Sequence, residues 1–198
     1  MPSRLVNGYL EDENGNLLPS TNIEEFYRWA GLAPGKKVLD VGCGHGRNYI
    51  ALEEKGCKVY GMDMSEKALI DAKKYIRKKG MLTRLVGGDV GKLPFMEGCF
   101  DAIYGNALPA KETAGRWGDI TRPLGRGGKA FIKFVNGVFY MDTQFEGKNF
   151  MVEPKEVRSW FGNPEGCMIE YQELPDMTHF GDYGFQLTSI LLVRIEKL

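Results

Sequence analysis

The sequence predicts an α/β fold, a mostly parallel sheet of seven strands with helices on both faces and the last strand antiparallel. Three observations carry this. Short β-branched or apolar runs alternate with stretches of helical spacing, the order that lays parallel strands side by side through crossover helices. A glycine-rich turn joins the first of these strands to the helix after it and completes a βαβ unit. The last two strand-like runs, 168–174 and 185–195, are separated by ten residues, too few for a crossover helix, so they pair antiparallel.

Taken in order, Asn22 caps a helix whose apolar residues Ile23, Phe26, Tyr27 and Ala30 share a face, with Gly31 as its stop and Pro34-Gly35 as the turn out. A strand over 37–41, the turn 42–46, a helix over 47–55 closed by Gly56 and a strand over 58–62 follow. Ser65 caps the next helix, which gathers Ala68, Leu69, Ala72, Tyr75 and Ile76 on one side and ends in Arg77-Lys78-Lys79, a basic run suited to the negative helix end. Strands are expected over 82–86, 100–104 and 129–134, the last introduced by a turn over 125–128. A short helix over 113–122 ends where Pro123 cannot continue it. The stretch 136–150 lacks periodicity and sets Phe139, Tyr140, Phe145 and Phe150 among glycines and polar residues, which fits either a substrate-side loop or a plain surface connection. Pro154 opens a last helix through Val157, Trp160 and Phe161 to Gly162.

The 198 residues carry 26 Lys+Arg against 26 Asp+Glu, 43% hydrophobic and 12% aromatic residues. One domain with a sizeable core is expected. A formal charge of zero supplies no global field for a polyanion, which disfavours a nucleic acid as main partner and favours a small substrate. No apolar run exceeds four residues, far from the roughly 20 needed to cross a bilayer, and no hydrophobic leader follows Met1-Pro2-Ser3-Arg4, so a cytoplasmic location without membrane partners is expected. Cys43, Cys57, Cys99 and Cys167 form no C-x-x-C pair, which argues for free, mostly buried thiols and against a metal knuckle. No metal site is predicted.

The segment Val38-Leu39-Asp40-Val41-Gly42-Cys43-Gly44-His45-Gly46-Arg47-Asn48 ends a strand and starts a helix with glycines at alternate positions. Such a turn lets a ligand lie on the backbone at the helix N-terminus. Arg47 stands where a dinucleotide fingerprint needs its third glycine, and no Gly-Lys-Ser/Thr of a P-loop follows. A strand ending in an acidic residue and then G-x-G-x-G resembles the class I S-adenosylmethionine-dependent methyltransferases. Gly61-Met62-Asp63-Met64-Ser65, Gly88-Asp89-Val90, Leu93-Pro94-Phe95 before 100–104, and Leu124-Gly125-Arg126-Gly127-Gly128 repeat further pieces of that family in order, over about residues 36–135. The Gly-Arg-Asn after the turn resembles its small type-11 and tellurite-resistance-like branch.

The resemblance implies a Rossmann-like doubly wound sheet with the glycine turn at the topological switch point, and S-adenosylmethionine as cofactor. It implies that Gly42, Cys43, Gly44, Gly46 and Asn48 line the cofactor, that Asp63 holds the ribose hydroxyls, that Met64 lies against the adenine, and that Asp89 and the Val90 backbone meet the adenine edge. Asp40 either contacts the cofactor's amino-acid end or satisfies nearby backbone N–H groups. Asp89 has an ordinary turn role as its alternative, and Asn106, past the fourth strand, is either a ligand contact or structural. Asp101 reads as structural, and Arg47 as either an anion contact or a solvated side chain.

The implied function is methyl transfer to a small-molecule acceptor by in-line displacement, with the cofactor carrying most of the chemistry. No catalytic residue is assigned. His179 is the one weak candidate for a base, and His45 reads as a polar turn residue. The alternatives are a non-catalytic S-adenosylmethionine-binding or regulatory subunit, and a nucleotide-dependent oxidoreductase. One domain over 1–198 is expected: an N-terminal segment and helix over the site (1–35), a cofactor-binding core (36–135), and a substrate-side loop, last helix and antiparallel pair (136–198). Acceptor recognition is assigned to the stretch with Tyr9, the aromatic segment 136–150 and the connection holding His179.

Overall fold

The computed structural model describes residues 4–6, 9–109, 117, 120–139, 154–161, 165–174, 179–180 and 185–198. The chain forms two compact units, Met1–Gly87 and Gly88–Leu198.

The first unit opens with an antiparallel hairpin, β1 (Arg4–Val6) and β2 (Tyr9–Glu11), not foreseen from the sequence. Helix α1 (Ile23–Trp29) buries Ile23 and Phe26, and Asn22 is its N-cap without a capping side-chain bond. Strand β3 (Lys37–Val41) lies parallel to β4 (Lys58–Asp63), and β4 parallel to β5 (Leu85–Gly87). Lys37 is exposed and the next four residues of β3 are buried, the continuous burial of a strand covered on both faces. Helix α2 (Arg47–Glu54) buries Tyr49, Ile50 and Leu52, and α3 (Glu66–Lys78) buries Ala72 and Ile76. Ser65 caps α3 as expected, its hydroxyl accepting from the Ala68 N–H at 3.2 Å.

Strand β5 is shorter than the expected 82–86. The Tyr49 hydroxyl donates to the Leu82 carbonyl at 2.8 Å and accepts from the Arg84 N–H at 3.3 Å, so a side chain takes the groups a ladder would use. The Arg84 guanidinium meets Glu53 Oε1 at 2.7 Å, and the same oxygen accepts from the Val59 N–H at 2.7 Å.

In the second unit β6 (Phe100–Pro109) runs parallel to β7 (Leu124–Phe139), and β10 (Phe185–Lys197) runs antiparallel to β7 and to β8 (Cys167–Leu174). The two-residue β9 (His179–Phe180) also pairs with β10, so part of the expected ten-residue connection is a strand. Helix α4 (Pro154–Phe161) begins at the expected proline. Apart from the hairpin and β9, the units contribute three and four strands, the expected seven, with the last antiparallel to its neighbours. Trp117, Phe134 and Phe161 form the aromatic centre, Trp117 edge-on to Phe134 at 5.2 Å between centroids.

The structure departs from three further expectations. The turn over 125–128 lies inside β7, where the register passes from Phe100↔Leu124 to Ala102↔Lys129 as a bulge, because both flanks keep their pairing with β6. Residues Asn136 to Phe139, assigned to a loop, are strand, held by pairing with β10 from Asn136↔Ser189 to Phe139↔Phe185. The end of the helix expected over 113–122 is a turn, closed by Ile120 N–H to Trp117 and Leu124 N–H to Thr121 carbonyls. The remainder of that helix, and residues 140–150 of the aromatic segment, lie outside the described residues. Cys43 and Cys57 are buried free thiols, whereas Cys99 and Cys167 are half-buried.

Candidate functional site

The end of β3 delivers Asp40, and the end of β4 delivers Asp63, to the two sides of the glycine turn. The turn is possible because Gly42, Gly44 and Gly46 all take positive φ. At Gly44, with φ 51°, a β-branched side chain is strained before any ligand arrives. The N–H groups of Gly42 and Cys43 both donate to the Met62 carbonyl, at 2.7 and 3.0 Å, and Gly46 N–H donates to the Cys43 carbonyl. These donors are spent on shaping the turn; what the turn offers a ligand is close approach to backbone at the start of α2.

The Asp63 carboxylate fixes this arrangement. Oδ2 accepts from the Gly44 N–H at 2.9 Å and Oδ1 from the Ser65 N–H at 2.9 Å, so one side chain ties the turn to the start of α3. Each carboxylate oxygen has two acceptor sites, which leaves one on each for a pair of hydroxyl donors. Met64 beside it is 74% exposed, a thioether on the surface that can cover a flat apolar ring.

Asp40 is buried, 1% exposed, and its Oδ2 accepts no hydrogen bond among the described residues. Burial first, and then repulsion from Asp63, push its carboxyl up to about 8, against the pull of Arg47 and of the Tyr49 N–H. The Tyr49 contact satisfies the backbone reading of Asp40, and the bare oxygen leaves a place for a cationic donor. Cys43 is buried and its thiol pKa is raised, chiefly by burial. A Cβ at Gly61 would come 2.9 Å from its sulfur, so the thiol packs under the turn and any contact to ligand comes from the Cys43 backbone.

Asn48 is buried in the first turn of α2, and its Oδ1 accepts the Ser20 N–H at 2.9 Å. His45 faces Asp71 of α3, with Nε2 3.8 Å from Oδ2, and burial lowers its pKa. Residues 16–20 are strapped to the same helices: Lys79 Nζ donates to Asn16 Oδ1 at 2.6 Å, Tyr75 Oη accepts from Leu17 N–H at 2.7 Å, and Arg47 reaches the Leu18 carbonyl at 3.4 Å. Sequence reasoning missed this strap. Its bonds span 28 to 63 residues, and no local pattern marks them.

In the second unit, Asp89 Oδ1 accepts from the Gly91 N–H at 2.8 Å in an Asx turn, and Val90 beside it is half-buried. Asn106 lies within β6, not past it, where the register shifts between Gly105 and Leu108; its buried Oδ1 has no partner among the described residues. His179 stands opposite Gln186 in the β9–β10 pair.

The residues of the first unit therefore present, around one strand-to-helix turn, a diol acceptor, an apolar platform and a bare buried carboxylate oxygen, which suits an amino-acid-bearing nucleoside. A family model described as "Methyltransferase domain" matches residues 38–128. Over these residues the chain is similar to the class I S-adenosylmethionine-dependent methyltransferases. Their finer type-11 or tellurite-resistance-like branch is not what these matches single out. A sterol 24-C-methyltransferase of Gibberella zeae is 37% identical over 105 residues, a match covering 50% of this chain and 27% of that protein. A demethylmenaquinone methyltransferase of Beutenbergia cavernae is 35% identical over 101 residues, covering 48% of this chain and 40% of that protein. The chain thus spans less than half the length of these curated relatives. The solved structure of a geranyl diphosphate methyltransferase in complex with SAM superposes with a TM-score of 0.68 at 16% identity, over 89% of this chain and 84% of that one. The fold is the Rossmann-like α/β fold of these methyltransferases.

For a glycine turn of this shape, Gly44→Val is expected to abolish binding of S-adenosylhomocysteine, through the strained φ and the side chain placed on the approach face. Calorimetry, with circular dichroism to establish that the variant is folded, checks this; normal binding by a folded variant contradicts a close ligand approach at Gly44.

Proposed function

We propose that this chain transfers the methyl group of S-adenosylmethionine to a small-molecule acceptor. The observation that carries the reading is the Asp63 carboxylate, anchored by two backbone N–H groups at the end of β4 with an acceptor site left on each oxygen. When bound, S-adenosylmethionine supplies a methyl group made electrophilic by its sulfonium. The chain's residues then have to orient the reactants and exclude water. Asp63 holds the ribose hydroxyls, Met64 covers one face of the adenine, and Asp40 takes the ammonium of the amino-acid end. Gly42, Cys43, Gly44 and Gly46 admit the cofactor to the backbone, with Asn48 in the helix behind them. Asp89 and the Val90 backbone are assigned to the adenine edge, and Asn106 to a cofactor contact.

The neutral overall charge supports a small acceptor over a nucleic acid. The relatives' names point the same way, since sterols, demethylmenaquinone and geranyl diphosphate are small molecules. Tyr9, the aromatic segment 136–150 and the connection with His179 are the proposed acceptor elements, and His179 is the one candidate base. In this reading residues 1–198 form a single methyltransferase domain with internal boundaries at 35 and 135, and the protein acts in the cytoplasm. No described helix is long and apolar enough to cross a membrane.

Calorimetry with S-adenosylhomocysteine and with NAD tests the reading. Binding of the first is expected, followed by turnover of S-adenosylmethionine when a small-molecule extract is added. Tight NAD binding with no response to S-adenosylhomocysteine overturns it, and cofactor binding without turnover in any extract favours a regulatory subunit.

A further inference from the structure

Ser20 is 6% exposed, and its hydroxyl oxygen is buried with no hydrogen-bond partner among the described residues. A hydroxyl in that state costs stability, since its desolvation is not compensated. Yet the surrounding structure holds it firmly. The Ser20 N–H is fixed by Asn48 in the first turn of α2, the Ser20 carbonyl accepts from Ile23 N–H at 3.1 Å, and Arg47 of α2 reaches the Leu18 carbonyl two residues earlier. Tyr75 of α3 and Lys79, the residue just past its end, hold Leu17 and Asn16. Four side chains, from α2, α3 and the end of α3, therefore bring an unsatisfied hydroxyl to the start of α2, next to the glycine turn.

The start of α2 is itself prepared for an anion. Its N-cap is Gly46, which contributes no capping side chain, and its first turn contains no acidic residue of its own; Asp40 takes one first-turn N–H, that of Tyr49. Asp40, whose Oδ2 is the other unpartnered buried oxygen of this unit's turn, is an acceptor and suits a cation. A zwitterion meets both needs.

We propose that Ser20 is a cofactor-contact residue, its hydroxyl donating to the carboxylate of the amino-acid end of S-adenosylmethionine, with the strap 16–20 as the device that positions it. This rests on the functional reading above and adds a residue outside the glycine turn to it. The strap's fastening to α2 and α3 makes this contact part of the cofactor site's own framework, not a loop that must first be found by the ligand.

The test is Ser20→Ala, with two ligands measured by calorimetry and the ligand-free melting temperature beside them. S-adenosylhomocysteine has the amino-acid carboxylate and 5′-methylthioadenosine lacks it. The expected result is a loss of about tenfold in affinity for S-adenosylhomocysteine, the scale of a hydrogen bond to a charged group. Affinity for 5′-methylthioadenosine should stay within about twofold, and the ligand-free melting temperature should be unchanged or higher, because the variant removes an unsatisfied polar atom. Unchanged S-adenosylhomocysteine affinity overturns the proposal, as does an equal loss for both ligands. A lowered melting temperature overturns it as well, since Ser20 would then be structural. If wild-type protein binds 5′-methylthioadenosine and S-adenosylhomocysteine but only the Ser20 pattern fails, the functional reading stands without this contact; if wild-type binds neither, both fall.

Discussion

Asp63→Ala is expected to weaken S-adenosylhomocysteine binding by about 1.5–3 kcal/mol, roughly 10- to 150-fold, the scale of hydrogen bonds to a charged group. The carboxylate has two duties, so the loss has two sources. Its bonds to Gly44 N–H and Ser65 N–H hold the glycine turn against the start of α3, and its remaining acceptor sites are assigned to the ribose. A cycle of two ligands separates them. Wild-type protein should bind S-adenosylhomocysteine more tightly than its 2′-deoxyribose analogue, and Asp63→Ala should bind the two alike, because the group that distinguishes them is gone. If the variant, shown to be folded, still discriminates between them, Asp63 is not the ribose ligand.

The second large effect concerns pH. Asp40 has its carboxyl pushed up to about 8 from an ordinary 3.8, by burial first and by Asp63 second. Between these values the native chain binds one proton more than the unfolded chain, so stability falls as pH rises. The contribution is complete below the unfolded pKa and is lost as pH climbs through the native one. The expected slope from this group alone is about 1.4 kcal/mol per pH unit. Denaturant unfolding at several pH values between 5 and 8, compared with Asp40→Asn, isolates it: the difference between the two proteins should shift steadily in favour of the Asn variant. Equal pH profiles would mean that Asp40 is ionised in the native state at all these values. If Asp40 receives the cofactor ammonium, it must ionise to do so. At pH 7 wild-type protein should then release close to one proton on binding S-adenosylhomocysteine, seen as a buffer-dependent heat, and Asp40→Asn should release none.

Much of the candidate site was legible in the sequence because its parts are local. The strand Lys37–Val41, the alternate glycines and the acidic residue at the end of the next strand need only short-range spacing and backbone freedom to be recognised. Helix α3 was equally plain, since a capping serine, one apolar face and a basic end all agree. The sequence was less informative where pairing overrides local signal. Gly125 to Gly128 carry the marks of a turn and Asn136 to Phe139 those of a loop, yet both lie in β7, because β6 and β10 supply the backbone partners that extend it.

What the sequence by itself determined is the order of elements, the glycine turn, and the chemical types placed at the strand ends, all properties of residues a few positions apart. Only the tertiary structure decided which of those groups are already satisfied. Asn48 accepts the Ser20 N–H with its carboxamide oxygen, Cys43 packs its thiol under the turn, and Tyr49 trims β5 by bonding Leu82 and Arg84. It also left Ser20 Oγ and Asp40 Oδ2 without a partner among the described residues. Hydrogen-bond satisfaction depends on partners brought together from distant parts of the chain, so it has no spacing of its own to read, and it is this property that separates a polar residue held for structure from one held for a ligand.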